Sequence, residues 1–478
     1  MTVAVHIRID RSAKATLVEQ IRLGVLAAIG SGALAPGARL PSWIALATQL
    51  GVARGTVKSA YERLADELVI VSSRSGGTRV ADHPAGVGRP APSAEADTPP
   101  AIYQHLLTGP AIFQMGIPAS DGFPTSLLSR LRAQAARAEV AAPAVYPDPR
   151  GEIELRREIA AHVALARGLE CRPSQIFVTA GFAGALGITL GVLGAEGRQA
   201  WMENPGFFQS RKALEFARLV PVPIPVDEDG IDVSYGIAKA PNAALALVTP
   251  GQQAPLGATL SLKRRLELIA WAVRTGAWIL EDDYLGELQL NRRAAPALAS
   301  LDRGGRVIHM GSFSKTISPA LRLGFIVAPT TLVARFTEAA LCFGSAPGPA
   351  VQHAIAQFMR EGHYMRHLRR MKRIYSARSE ALQAVWERKG YRVHIGGLAA
   401  VVHLPDGVSD VSVAQSALAR GLAPTPLSPW FSPGTDTESG LLLGVATVTE
   451  EQVSAACQQL HQLIGASDST PASVNPEG

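Results

Sequence analysis

One lysine stands among small hydroxyl residues in the stretch GSFSKTISPALRLG, residues 311–324. A lysine amine can form a Schiff base with an aldehyde cofactor when it lies near a phosphate pocket. Here Lys315 would supply the amine, Ser312 and Ser314 would supply hydroxyl donors, and Arg322 would supply a counter-charge for phosphate. On its own this combination is weak evidence, and a surface loop is the simpler interpretation.

A second candidate group follows an apolar run in AWILEDDYLGEL, residues 277–288. Carboxylates at the end of a buried strand are costly unless they have partners. In extended geometry Asp282 and Tyr284 face the same side. Asp282 could pair with a protonated pyridine nitrogen, and the Tyr284 hydroxyl could reach a phenolate oxygen. The alternative is a strand end that emerges into water, which suits Glu281 and Asp283 on the opposite side.

Two glycine turns could complete a cofactor pocket. FVTAGFAGALGITL predicts a strand, a turn and a helix, so the backbone at Ala180, Gly181 and Phe182 would present free N–H groups to an anion. In ENPGFFQSR, Phe207 follows a Pro-Gly turn and could stack on a flat ring. The alternatives are an ordinary tight turn for the first segment and ordinary packing for Phe207.

These residues must be positioned by an α/β domain. Short apolar runs alternate with longer helical patterns after residue 110, which predicts βαβ units and a mainly parallel sheet. The Pro- and Ala-rich segment before it is typical of a linker. We therefore expect a small domain over 1–81, a linker over 82–110, a large domain over 111–465 and a disordered tail over 466–478.

The N-terminal segment has the pattern of a DNA-binding unit. An apolar stripe begins at Leu17 and predicts a helix that ends near Gly30. After it, helices from Trp43 to Leu50 and from Arg54 to Leu68, joined by a turn at Gly51, would form a helix-turn-helix, and a hairpin wing would follow. The alternative is a small helical domain with solvated basic residues. Candidate contacts to double-stranded DNA are Arg54, Thr56 and Lys58 on the second helix and Arg74 on the wing.

Composition excludes several other classes. The 478 residues carry a net charge of +6, which permits contact with a polyanion without requiring it. No apolar run is long enough to span a membrane, and the first residues lack the apolar core of a signal peptide, so we expect a cytoplasmic protein. Three distant cysteines match neither a disulfide framework nor a zinc site, and we expect no metal.

The N-terminal strings resemble the winged-helix domain of GntR-type repressors. That family carries PG.RLPS, then LA..LGVSR.TV..AYE.L, then a glycine-rich wing; this chain has PGARLPS (36–42), LATQLGVARGTVKSAYERL (46–64) and SGGTRV (75–80). The resemblance implies DNA contacts by Arg39, Arg54, Thr56 and Lys58. The chain departs from the pattern in two places: Trp43 and Ile44 stand where an arginine is usual, and Leu68 replaces a usual glycine before the wing.

The rest of the chain resembles fold-type I aminotransferases, and more closely the MocR regulators, which join a GntR winged helix to an aminotransferase-like domain. The matching segments are 146–181, 203–214, 275–288 and 312–325. The resemblance implies that pyridoxal 5′-phosphate (PLP) forms a Schiff base with Lys315 and pairs with Asp282. It also implies cofactor contacts by Tyr284, Phe207, Ser312, Ser314, Arg322 and the turn 180–182, with Tyr146 contributing across a homodimer interface.

Two departures concern the ligand. Ala254 stands where the enzymes place an asparagine on the phenolate oxygen, and Gln252 or Gln253 could substitute for it. Leu442 stands where the pattern RLGFA places the arginine that binds an α-carboxylate. An ordinary amino acid would then bind poorly unless Arg211 or another base takes its place, which favours an unusual effector or direct sensing of PLP.

Three functions fit the sequence. The first is a PLP-dependent DNA-binding transcriptional regulator that senses PLP or a PLP adduct with an amine or amino acid. The second is an active aminotransferase with an accessory winged helix, and the missing asparagine and arginine argue against it. The third is a regulator that no longer binds PLP, which the presence of Lys315, Asp282, Tyr284 and Arg322 argues against.

Overall fold

The computed structural model describes residues 7, 9–13, 15–73, 77–82, 110–290, 295–344 and 346–468. Contacts divide the chain into two compact units, 1–104 and 105–478. Arg74, most of the expected linker and most of the expected tail lie outside the described residues. Among the helices that the structure describes, none is both long and apolar enough to cross a membrane.

The smaller unit is a winged helix. Its helices are α1 (Leu17–Gly30), α2 (Trp43–Leu50) and α3 (Arg54–Asp66), and strands β1 (Ile70–Ser73) and β2 (Gly77–Val80) pair antiparallel. The Ser42 hydroxyl accepts a hydrogen bond from the Ala45 N–H and thereby caps α2. Gly51 ends α2 in the left-handed conformation (φ 61°), so α3 can start three residues later.

Helical periodicity accounts for the core of this unit. Ile21, Val25 and Ile29 form the buried stripe of α1, and α3 contributes Val57, Ala60, Tyr61 and Leu64. The Tyr61 hydroxyl donates to the Pro41 carbonyl (3.0 Å), which ties α3 to the segment before α2. The helix-turn-helix and the wing strands are therefore as predicted, with α3 ending two residues before Leu68.

The larger unit contains an eight-stranded sheet with the order β3, β10, β9, β8, β7, β4, β5, β6. Neighbouring strands from β9 to β5 are parallel, whereas β10 runs antiparallel to both its neighbours and β6 pairs antiparallel with β5. The strands are β3 (Ile176–Thr179), β4 (Gln199–Asn204), β5 (Val220–Asp227), β6 (Gly230–Ile231), β7 (Leu245–Val248), β8 (Trp278–Asp283), β9 (Val307–Ser312) and β10 (Gly324–Val327).

Helices cover both faces of this sheet, which explains why its strands are nearly continuous apolar runs. On β7, Leu245 and Leu247 pack on one side while Ala246 and Val248 pack on the other. The helices of this part are α4 (Thr125–Ala141), α5 (Ile153–Arg167), α6 (Gly181–Leu193), α7 (Phe208–Phe216), α8 (Val233–Lys239), α9 (Leu262–Thr275), α10 (Leu298–Leu301), α11 (Val333–Phe343) and α12 (Pro349–Arg360).

A smaller antiparallel sheet completes the larger unit. Its strand order is β11 (Val393–Gly396), β12 (Ala399–His403), β14 (Gly440–Gly444) and β13 (Thr425–Pro426). Helices α13 (His363–Arg388), α14 (Asp410–Leu418) and α15 (Glu450–Asp468) pack with this sheet. The mixed α/β architecture with a mainly parallel large sheet agrees with the prediction.

Leu68 has an unfavourable backbone conformation. Its φ is 57°, in the left-handed region where glycine is usual, and its side chain is 70% exposed. A non-glycine residue there costs roughly 1 kcal/mol or more, and this side chain recovers little of that cost by packing.

We predict that Leu68→Gly stabilises the winged helix by up to about 1 kcal/mol, because relief of strain exceeds the extra chain entropy of glycine. Hydrogen exchange of the α1 and α3 amides in the full chain would measure it. Leu23, 49% exposed within α1, is the matched control. Leu23→Gly should destabilise the unit by about 1 kcal/mol; equal loss for both variants would contradict the assignment of strain to Leu68.

Candidate functional site

The site lies where strands β8 and β9 end, the edge at which parallel sheets usually bind ligands. Lys315 follows β9 by three residues, and its Nζ donates to the Gly116 carbonyl at 2.8 Å. Burial lowers the pKa of the Lys315 amine, and the negative charge of Asp282 opposes that shift. A lowered pKa makes the neutral, nucleophilic amine more available near pH 7.

Asp282 is the unpaired acid of the site. It is 8% exposed, and its Oδ1 is buried without a hydrogen-bond partner among the described residues. Burial raises the pKa of Asp282 well above its usual range, and the charges of Asp283 and Glu203 raise it further. To be ionised while buried, this carboxylate requires a hydrogen-bond donor or a positive charge beside it.

The two acids beside Asp282 do have partners, which corrects the interpretation that they emerge into water. Glu281 is fully buried, lies 3.0 Å from Nδ1 of His309 and accepts from two backbone N–H groups of α10. Asp283 accepts from the buried Arg167 guanidinium at 2.7 and 3.1 Å. Both side chains face the side of β8 opposite to Asp282, as predicted. That side is buried, and Arg167 and His309 contact the two carboxylates there.

Glu203 is a further buried acid that the sequence argument missed. Its carboxylate accepts from the Thr249 N–H (3.1 Å) and the Thr249 hydroxyl (2.5 Å), and the same hydroxyl accepts from the Ala254 N–H (3.2 Å). Burial raises the pKa of Glu203 to about 7, although the bonds from Thr249 oppose the shift. An acid at the end of an apolar strand was the available signal, the same one that singled out Asp282.

Two aromatic residues stand beside these acids. Tyr284 is partly buried, and burial together with the Asp282 charge raises the pKa of its hydroxyl. Phe207 precedes α7, and its ring centroid lies 5.8 Å from that of Trp430. Both residues border an apolar cluster that includes Ala254 and Leu442.

The residues predicted to hold phosphate meet at one corner of the large sheet. Gly324 pairs with Ser312 on one side and with Thr179 on the other, which places Ser312 beside the turn at 180–182. A side chain at Gly324 would lie 2.8 Å from the Gly181 carbonyl carbon, so this close approach requires glycine. The Ser312 hydroxyl accepts from the Ser314 N–H (3.1 Å) and lies 3.0 Å from the Ser314 hydroxyl.

This corner offers several donors to an anion. Helix α6 starts at Gly181 (φ 72°) without a side-chain cap, so its first N–H groups, including that of Phe182, point out of the helix end. Arg322 is exposed, has a φ of 49°, and donates from Nη2 to the Ala180 carbonyl at 3.2 Å. Tyr146, by contrast, is fully exposed and takes no part in the packing around Lys315.

In the winged helix, the predicted DNA contacts within the described residues lie on α3 and, for Arg39, beside strand β2 of the wing. Arg54 and Lys58 are exposed and Thr56 is half-buried, while Arg39 is exposed beside Gly77. Arg79 is a further exposed base on β2, and it was not predicted, although its position next to the wing glycines was a signal.

Comparison with known proteins agrees with both parts of this structure. A family model for "Aminotransferase class I and II" matches residues 120–460, and one for "Bacterial regulatory proteins, gntR family" matches residues 17–80. The probable rhizopine catabolism regulatory protein MocR of Rhizobium meliloti is 33% identical over 480 residues, which is 97% of each chain. The chain belongs to the MocR family of GntR-type transcriptional regulators.

Other relatives in this MocR group and solved structures agree. The HTH-type pyridoxine biosynthesis transcriptional regulator PdxR of Corynebacterium glutamicum is 33% identical, over 91% of this chain and 92% of its own. An archaeal alanine:glyoxylate aminotransferase matches with a TM-score of 0.69 and 24% identity, over 76% of this chain and 93% of its own. LysN of Thermus thermophilus, solved with N-(5′-phosphopyridoxyl)-L-leucine, matches with a TM-score of 0.69 and 25% identity, over 77% of this chain and 95% of its own.

The two positions at which the larger unit of this MocR chain departs from the family pattern, Leu442 and Ala254, belong to the apolar cluster beside Tyr284 and Phe207. Leu442 is fully buried in β14, and Ala254 is 8% exposed. Gln253 donates to the Pro205 and Ala254 carbonyls, whereas the Oε1 of Gln252 is buried without a partner among the described residues. Arg211 donates to the Phe431 carbonyl and the Ser432 hydroxyl, both at 3.2 Å.

Proposed function

We propose that this transcriptional regulator binds PLP in its aminotransferase-like unit and adjusts its DNA binding to the occupancy of that site. The observation that carries the proposal is the pairing of an unpartnered buried carboxylate, Asp282, with a buried lysine amine of lowered pKa, Lys315. When bound, PLP would supply an aldehyde carbon that forms a C=N bond with a primary amine.

The residues of the site fit this cofactor. Asp282 Oδ1 would accept the N–H of a protonated pyridine ring, and the positive charge of the ring would favour the ionised carboxylate. The Phe207 ring would stack on the cofactor, and the Tyr284 hydroxyl would donate to the phenolate oxygen. Lys315 Nζ would provide the amine, released from the Gly116 carbonyl.

The phosphate would lie at the corner formed by the start of α6. Free N–H groups at 180–182, the hydroxyls of Ser312 and Ser314, and the Arg322 guanidinium are the donors that a phosphate group prefers. We further propose that the regulator is a homodimer in which the exposed Tyr146 of each chain reaches the partner's site.

DNA binding is the output of the GntR unit. We propose that Arg54, Thr56 and Lys58 on α3 contact the major groove, and that Arg39 and Arg79 bind backbone phosphates beside the wing. Arg74 is proposed as a further wing contact from the sequence alone. Because a dimer would carry two such units, a palindromic operator is expected.

Aminotransferase activity is the second candidate function. It would need a group for the α-carboxylate of an amino-acid substrate, and Leu442 supplies none. Transcription regulation is therefore the function that the site supports best. Kinetic assays of amino-group transfer would detect the alternative, aminotransferase activity.

We predict that Arg54→Ala weakens binding to an operator, selected from random duplexes by the full chain, by about 10- to 100-fold while PLP binding is unchanged. Fluorescence anisotropy would measure the affinity. The matched control is Arg63→Ala, because Arg63 is exposed in the last turn of α3 and lies 3.8 Å from Glu19. A loss of PLP binding in Arg54→Ala would indicate misfolding rather than a lost DNA contact.

We also predict that PLP gives a visible absorption band with the full chain, and that borohydride fixes the cofactor to the peptide that contains Lys315. Lys315→Ala should lose both signals, and Asp282→Asn should weaken PLP binding about 10- to 100-fold because a charged hydrogen bond is lost. Lys212→Ala, an exposed lysine paired with Glu215, is the control and should behave as wild type. Equal labelling of the Lys315→Ala variant would contradict the assignment.

A further inference from the structure

The two faces of the small sheet have different surroundings. On β12 and β14, the side chains of Ala400, Val402, Leu441 and Leu443 enter the large core. The alternate residues, Ala399, Val401 and Leu442, belong to a separate apolar cluster with Ala254, Leu427 and Trp430. Leu442 is paired with Val401, and Gly444 with Ala399, so these four residues share the second face.

Gly444 of this second face and Lys315 line the same cavity. The cavity is lined by residues 114–117, Tyr284, Leu285, Lys315, Leu398, Gly444 and Ala446. Met115 and Tyr284 line the cavity and also pack against the apolar cluster, so the cluster lies directly behind this part of the cavity wall. Lys315 is the one charged residue among the described groups that line it.

Among the described residues that line this cavity, none but Lys315 offers a carboxylate a cation. Lys315 would be occupied by the cofactor, and Arg211 is held by the Phe431 carbonyl and the Ser432 hydroxyl. Burial of an unpaired carboxylate is strongly unfavourable, whereas an aliphatic or aromatic group would gain free energy against Met115, Leu285 and Leu398, which line the cavity.

Gln252 provides a hydrogen-bond acceptor next to the cavity wall. Its Oε1 is buried without a partner in the part of the chain that the structure describes. A Cβ placed on Gly397 would lie 3.3 Å from both the Gln252 amide and Leu285, so Gln252 adjoins a residue of the cavity wall. An unsatisfied carbonyl oxygen favours a ligand that brings an N–H or O–H donor, such as an amine.

We infer that the effector is a primary amine with an apolar substituent and no α-carboxylate. This inference rests on the proposed function, because the amine is recognised together with PLP at Lys315. The ligand nitrogen, as a neutral amine, would replace Lys315 Nζ at the carbon of a protonated imine: one C=N bond breaks as another forms, one proton passes from the ligand nitrogen to Nζ, and the lysine leaves as a neutral amine. No oxidant or reductant is needed.

The direct test compares amines with the amino acids from which they differ only by the carboxylate. Isopentylamine and leucine form one pair, and phenethylamine and phenylalanine form another. Each is titrated into the PLP-loaded full chain, with binding measured by the change in cofactor absorbance and by calorimetry. We expect each amine to bind at least about tenfold tighter than its amino acid.

A pair of variants isolates the role of Leu442. Leu442→Arg should reverse the preference within each pair, because the guanidinium would supply the missing cation. Leu442→Met keeps the site apolar and should retain the preference for amines. Circular dichroism checks folding, and the wild-type comparison remains decisive where Leu442→Arg does not fold.

The outcomes separate the two proposals. If PLP gives no absorption band and no product on Lys315, both the proposed function and this inference are wrong. If PLP binds at Lys315 but leucine equals or exceeds isopentylamine, or neither amine binds at millimolar concentration, only the inference is wrong. A preference for amines in both pairs supports it.

Discussion

The unpaired carboxylate of Asp282 is the constraint around which the large unit is arranged. Three consecutive acids end a strand at the centre of the sheet, where an isolated charge is expensive. Arg167 neutralises Asp283, and His309 with two backbone N–H groups stabilises Glu281. Of these three acids, Asp282 alone has a buried oxygen, Oδ1, without a donor among the described residues, and a ligand at the Lys315 site could supply that donor.

That arrangement suits a sensor better than it suits an enzyme. An effector changes the activity of a regulator only if it binds two states of the protein unequally. We propose that the site binds PLP, although Leu442 is buried where the family has an arginine. Such a site can still stabilise one state of the protein more than another when its ligand changes. Turnover of amino acids would require the carboxylate contact that the apolar cluster replaces.

Local sequence signals predicted much of the fold and part of the site. The stripe on α1, the cap at Ser42 and the turn at Gly51 act over a few residues, so their consequences could be predicted directly. The lysine segment 311–324 and the strand that carries Asp282 were recognisable for the same reason.

Long-range partners could not be predicted in this way. Gly116, which accepts from Lys315, lies 199 residues before it, and Arg167 lies 116 residues before Asp283. Nothing near Glu281 or Asp283 in the sequence indicates that their side of the strand is buried, with partners from α5 and α10. Glu203 was missed for a similar reason, because its partner Thr249 is 46 residues away in the sequence.

The central claim is that occupancy of the Lys315 site alters DNA binding. The most direct measurement is the affinity of the full chain for a duplex operator, with and without PLP, for wild type and Lys315→Ala at fixed ionic strength. The claim predicts that PLP changes the dissociation constant of wild type by about fivefold or more and leaves that of Lys315→Ala unchanged. An unchanged dissociation constant for wild type, with PLP demonstrably bound to Lys315, would contradict it.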